Sequence, residues 1–185
     1  MTRLTISCTS GILLAGTVFA LNQQPPAMPK PEKEHAFLEQ FVGEWEGSGE
    51  MTPGPGAPAI TCKMSDKVRL LGGFWMVSDG KGEMAGMKME NVLTLGYDPV
   101  KKQYIGQWVD SMMPHQWNYV GEVDGSGKKI TLHTEGPNPE KPGRMFKFRE
   151  TFEFPDKDRR IFTSSMQQED GAWKQIVKVE ATRKK

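Results

Sequence analysis

Cysteine, histidine and net charge are all scarce in this 185-residue chain, and each scarcity excludes something. Of the two cysteines, Cys8 falls in an N-terminal leader, so Cys62 has no intramolecular partner and no disulfide framework holds the fold. The Ile60-Cys62-Met64 alternation places that thiol on a buried face. The three histidines, His35, His115 and His133, form no His-x-Glu metal motif, and no nucleophile elbow or phosphate loop appears. With 24 basic against 23 acidic side chains the formal charge is only +1, which argues against a nucleic-acid partner. Beyond the leader no stretch is apolar enough to span a bilayer. Nor is any helical pattern long enough to carry a βαβ crossover.

The leader itself reads as a secretory signal peptide over residues 1–20. Arg3 gives a basic start, an apolar run follows from Gly11 to Phe19, and the small residues Thr17 and Ala20 suit a cleavage site. A retained N-terminal anchor is the alternative; Cys8 lies too near the start for lipid attachment. The protein is thus expected to be exported, periplasmic or secreted from a bacterium. Residues 21–31, LNQQPPAMPKP, form a proline-rich extended leader. One domain is expected over 32–185, opening with a short helix in PEKEHAFLEQF.

What is present after that helix is strand and turn to the end. Ten strands are expected near 41–51, 60–71, 74–79, 88–97, 103–111, 116–123, 129–135, 144–154, 160–168 and 172–183. They are separated by turn-forming segments such as GKGEMAG, YDPVKKQ, MMPH, DGSGK and PDKDR. Ten short strands without a crossover imply an all-β, antiparallel up-and-down barrel, because closure removes the sheet edges. In such a meander alternate loops share an end. The longer Gly/Pro-rich ones (TPGPGAPA, GKGEMAG, GPNPEKPG) gather at a mouth, and the tight turns, with the helix, at a closed floor.

In FVGEWEGSGE, residues 41–50, Phe41, Gly43, Trp45, Gly47 and Gly49 alternate with a wet face bearing Glu44, Glu46 and Glu50. Inward glycines are expected to leave volume for a cavity. An even strand count makes the first and last strands neighbours, so Trp45 and Arg183 are expected to meet as a structural floor pair. A Gly-x-Trp on the first strand under a base on the last resembles the calycin barrels, lipocalins and their relatives.

FVGEWEGSGEMTPGPGAP, RLLGGFWMVSDGKG, LGYDPVKKQYIGQWVDSM and the terminal DGAWKQIVKVEATRK together resemble the bacterial domain-of-unknown-function family 1579, over roughly 35–184. That resemblance implies a calycin-like barrel and no established activity. GEWEGSG also resembles the first strand of nitrobindin-type haem barrels. Those use a histidine on a late strand, whereas no histidine follows residue 133 here.

The candidate ligand-binding residues are Tyr97, Trp108, Asp110, Trp117, Tyr119 and His133. Trp108 and Asp110 share one strand face and Trp117 and Tyr119 share another, a set suited to orienting a small, mostly apolar ligand. Asp110 can instead cap the MMPH turn. Asp110, Ser111 and His115 have the residue types of a nucleophilic triad, but neighbours on a strand point oppositely, so no catalytic residues are assigned. Met84, Met87, Met112, Met113 and His115 offer a Cu(I) alternative at the mouth; otherwise thioethers simply provide a flexible apolar lining. No cofactor is expected. Phe146, Phe148, Phe152 and Phe154 share a face with Glu150, as barrel wall or interface. The charged run DKDRR reads as a solvated turn. A protein with a filled core acting through its surface is the rival arrangement.

Overall fold

Strict alternation of buried and exposed side chains builds the wall: on one strand Trp117, Tyr119 and Gly121 turn inward while Asn118, Val120 and Glu122 face solvent. A computed structural model of the chain describes residues 28–52, 57–138 and 141–185. The expected signal segment, most of the proline-rich leader and the middle of the TPGPGAPA loop lie outside the described residues. A 3-10 helix, Lys33–Phe41, precedes ten strands: β1 Gly43–Met51, β2 Ile60–Leu71, β3 Trp75–Met84, β4 Met87–Asp98 and β5 Gln103–Asp110. Then come β6 Trp117–Val123, β7 Lys129–Pro137, β8 Met145–Asp156, β9 Arg159–Gln167 and β10 Trp173–Arg183. Each strand pairs antiparallel with the next, and β1 pairs with β10 from Trp45↔Arg183 to Met51↔Val177, closing the barrel.

The helix seals one end. Phe37, Leu38 and Phe41 are buried, and Phe41 meets Phe154 edge-on at 4.8 Å between ring centres and Phe152 at 5.2 Å. Polar ties fix the plug. Trp45 Nε1 donates to the Phe41 carbonyl at 2.7 Å, and the Tyr104 hydroxyl donates to the Glu34 carbonyl at 2.7 Å. Arg183 donates to the carbonyls of Val42 and, at 3.1 Å, Gln40. The bonds to Gln40, Phe41 and Val42 satisfy carbonyls that the C-terminal end of the helix leaves without intrahelical partners.

Two expectations need correction. The glycines of β1 do not open the cavity. A Cβ on Gly49 would sit 1.9 Å from the Lys178 carbonyl oxygen, and one on Gly47 would sit 2.7 Å from that of Glu180. Their missing side chains let β10 press closely against β1. Likewise GKGEMAG is no long loop, because β3 continues to Met84 and the turn is Ala85-Gly86. Gly80 and Gly82 stay in the strand because the Asn91 and Met89 side chains fill the space above them.

Candidate functional site

Above the plug the strands enclose a cavity of about 380 Å³, so the interior is not a filled core. Its size lies in the range of small-molecule pockets. Trp108 and Trp117 stand on adjacent strands as a register pair, their rings 6.5 Å apart. Phe148 packs edge-on against Trp117 at 4.9 Å, and Phe152 meets Phe162 at 4.9 Å. Gly136 on β7 has no side chain because the Trp117 ring occupies that place, 2.1 Å from an added Cβ. Met51, Met64, Met84, Met89, Met112 and Met113 complete much of the wall. Thioethers on unbranched stems adapt to the shape of what they touch.

Inside this apolar wall lies a carboxyl that sequence reasoning left on a wall of phenylalanines. Glu150 lies on the cavity lining, half-buried, with part of its side chain open to that space. Its Oε2 accepts from the Tyr119 hydroxyl at 2.7 Å, and its Oε1 accepts from the Ser164 hydroxyl at 3.4 Å. Burial pushes the Glu150 carboxyl up to about 7 despite these two donors. The Tyr119 hydroxyl is pushed well above the ordinary phenol value by burial, then by the Glu150 charge beside it. Among the described residues Glu150 forms no ion pair.

A second buried polar group, deeper in, does have an ion pair. The Arg160 guanidinium, 2% exposed, bonds to Asp66 and lies 4.9 Å from the centre of the Trp45 ring. Burial pushes the Arg160 pKa down and Asp66 opposes that shift. The charged run at 156–160 is therefore not wholly a solvated turn. Arg159 pairs with Asp156 at the surface, while Arg160 begins the inward series Arg160, Phe162, Ser164 of β9. Strand parity marks all three missed residues: Asp66 follows Met64, Arg160 precedes Phe162, and Glu150 lies between Phe148 and Phe152.

Of the six ligand candidates, Trp108, Asp110, Trp117 and Tyr119 line the cavity. Asp110 divides its carboxylate between two roles. Oδ1 accepts from the backbone N–H groups of Met112 and Met113, capping the turn, while Oδ2 is buried without a hydrogen-bond partner. Trp117 Nε1 is also buried without one. Tyr97 and His133 do not line the cavity. Tyr97 lies at the floor, its ring 5.7 Å from His35 and 5.2 Å from Tyr104, because it stands at the end of β4, level with the plug. His133 lies on the exposed face of β7, between the inward Leu132 and Thr134.

The triad types stay apart. The Ser111 hydroxyl accepts from the Glu90 N–H at 3.0 Å, while His115 Nε2 lies 3.2 Å from the Glu135 carbonyl, its ring against Trp117. None of the three histidines lines the cavity; His35 Nδ1 accepts from the Glu32 N–H at 2.9 Å inside the helix start. Of the five Cu(I) candidates, Met84, Met112 and Met113 line the cavity, whereas Met87 is exposed at the β3–β4 turn. Cys62 lies on the cavity wall, its thiol pushed up by burial. Among the described residues no helix is long and apolar enough to cross a membrane.

No curated protein matches the sequence. The fold resembles that of Rv2717c from M. tuberculosis, with a TM-score of 0.56 at 13% identity over 83% of this chain and 99% of that one. It also resembles the S-type phycobiliprotein lyase CPES from Guillardia theta, with a TM-score of 0.52 at 15% identity over 84% of this chain and 99% of that one. A family model described as "Protein of unknown function (DUF1579)" matches residues 30–183, nearly the whole barrel and its helix, and the chain belongs to that family.

Proposed function

We propose that this is an exported binding protein that holds a small, mostly apolar molecule inside its barrel. The observation that carries the reading is the cavity of about 380 Å³, walled by tryptophan, phenylalanine and methionine above a plug held by hydrogen bonds. Aromatic rings supply a large contact area at low entropic cost, and a few polar groups fix orientation. Trp108, Trp117 and Tyr119 provide the rings. Asp110 and Glu150 provide the polar points. The Arg3 start, apolar run and small residues of the leader support export.

Native mass spectrometry of the protein purified from its own compartment, compared with the same sample denatured, tests the binding reading. Extra mass lost on denaturation is the expected result. A folded sample without extra mass, whose tryptophan fluorescence does not respond to small apolar compounds, would overturn it. Cell fractionation with N-terminal sequencing tests export: the mature chain is expected outside the cytoplasm, starting near Leu21, and an intact Met1 in the cytoplasm would refute that part.

A further inference from the structure

Given a ligand in this cavity, the polar groups on its wall define what the ligand carries. The acceptors are Glu150 and the buried, unpartnered Oδ2 of Asp110. Both hydroxyls at Glu150, from Tyr119 on β6 and Ser164 on β9, already donate to it, so they leave its remaining lone pairs unfilled. The β7 residue in register with Glu150 is Leu132, which offers neither donor nor charge. Among the described residues the one buried cation on the lining, Arg160, is bound to Asp66. Lys63 and Glu83, also at the edge of the cavity, lie in exposed positions of β2 and β3. The wall therefore presents two carboxyls without cations to a space large enough for a guest. An anionic guest would meet uncompensated like charge in a low-dielectric interior. A guest that brings its own positive charge would supply the missing partner.

We propose that the cavity selects an apolar amine, a molecule with a hydrophobic, ring-sized body and a protonated nitrogen that donates to the Glu150 carboxylate. The body occupies the space between Trp108, Trp117 and the methionines, while Asp110, four residues along β5 from Gly106, the register partner of Tyr119, offers a separate acceptor farther along the wall. Burial of the Glu150 carboxyl supports the assignment, since an unpaired ion there is costly and a bound cation relieves the cost. This inference rests on the binding reading above, and the experiment separates the two.

Three probes share one ring: 1-naphthylmethylamine, 1-naphthalenemethanol and 1-naphthoate. Titration of the full protein at pH 8, followed by calorimetry or tryptophan fluorescence, gives their affinities. The amine is expected to bind about tenfold more tightly than the alcohol, as a charge-assisted hydrogen bond allows, with the carboxylate weakest. Glu150→Gln should bring the amine down to the level of the alcohol, with a far smaller change for the alcohol. Asp110→Asn, which keeps the turn-capping oxygen, should weaken the amine less. Naphthoate binding as tightly as the amine, or an amine preference untouched by Glu150→Gln, would overturn the inference. Equal binding of all three would do so too, and yet leave the apolar cavity reading standing. Binding of none, together with no mass lost on denaturation, removes both. The affinity order in the unsubstituted protein decides the matter even where a variant fails to fold.

Discussion

The guanidinium of Arg183 lies 4.2 Å from the centre of the Trp45 indole, on the strand pair that closes the barrel. Arg183 also donates to the carbonyls of Val42, Gln40 and Lys157, so one side chain joins the last strand, the helix end and the β8–β9 turn.

Arg183→Ala removes the ring contact and these bonds together. Thermal or urea unfolding should show a loss of about 3 kcal/mol, given the usual worth of a cation over an indole and of charged hydrogen bonds. Arg183→Lys should lose less, since an ammonium can sit over the ring but cannot fork to separate carbonyls. A change below about 0.5 kcal/mol for the alanine variant would mean that the contact is ornamental to stability.

Asp66 and Arg160 form a pair in which each partner is nearly enclosed. Asp66→Asn leaves an uncompensated buried cation and should cost about 3–5 kcal/mol in denaturant unfolding. Adding Arg160→Met should recover much of that loss, because an unbranched apolar side chain can replace the guanidinium between Trp45 and Phe152. Additive losses from the two substitutions would contradict the pairing.

Glu150 gives stability a definite pH slope. Its folded pKa, about 7, lies above the ordinary glutamate value of 4.5, so between those values the folded state binds more protons than the unfolded one. Stability from this group is therefore full below about pH 4.5, falls as the pH rises through that window, and levels off above about pH 7. The fall amounts to about 3 kcal/mol. Glu150→Gln should flatten it, matching the parent in acid and exceeding it at pH 8. Unfolding curves at pH 4.5, 6 and 8 measure this; parallel slopes for parent and variant would refute it.

Gly49→Ala tests the close approach of β10. The added methyl falls 1.9 Å from the Lys178 carbonyl oxygen, so the strand must move, at a cost of about 1–3 kcal/mol. Gly125→Ala, where an added Cβ meets nothing within 4 Å, should be close to neutral. Equal thermal midpoints for the two variants would mean that the strands are not pressed together at Gly49.

Much of the architecture follows from local pattern. Period-two alternation and turn chemistry are written into each segment, and an even strand count makes β1 and β10 neighbours. Interior chemistry is harder to read. Arg160 meets Asp66 across a barrel whose shear decides which inward residues face one another, and 94 residues separate them. Glu150 shows the limit from another side: its parity with Phe148 and Phe152 tells that it points inward, but not that Tyr119 waits there. The β3 extension failed for a different reason. Gly80 and Gly82 look like turn residues until β4 supplies the side chains that cover them. Tyr97 lies on an inward-leaning strand, and only the position of the plug assigns it to the floor instead of the cavity.

The seal of the barrel has a consequence in time. Arg183 reaches back 141 residues to Val42, and β1 has no second neighbour until β10 arrives. A ribosome therefore releases the first strand long before its closing partner exists, with one edge and the aromatic plug bare. Pairings of such sequence separation are slow to form, so a nascent chain remains an open, unsealed sheet until β10 emerges. Whatever guards that edge in the interval is as much a requirement of this fold as any contact in the finished barrel.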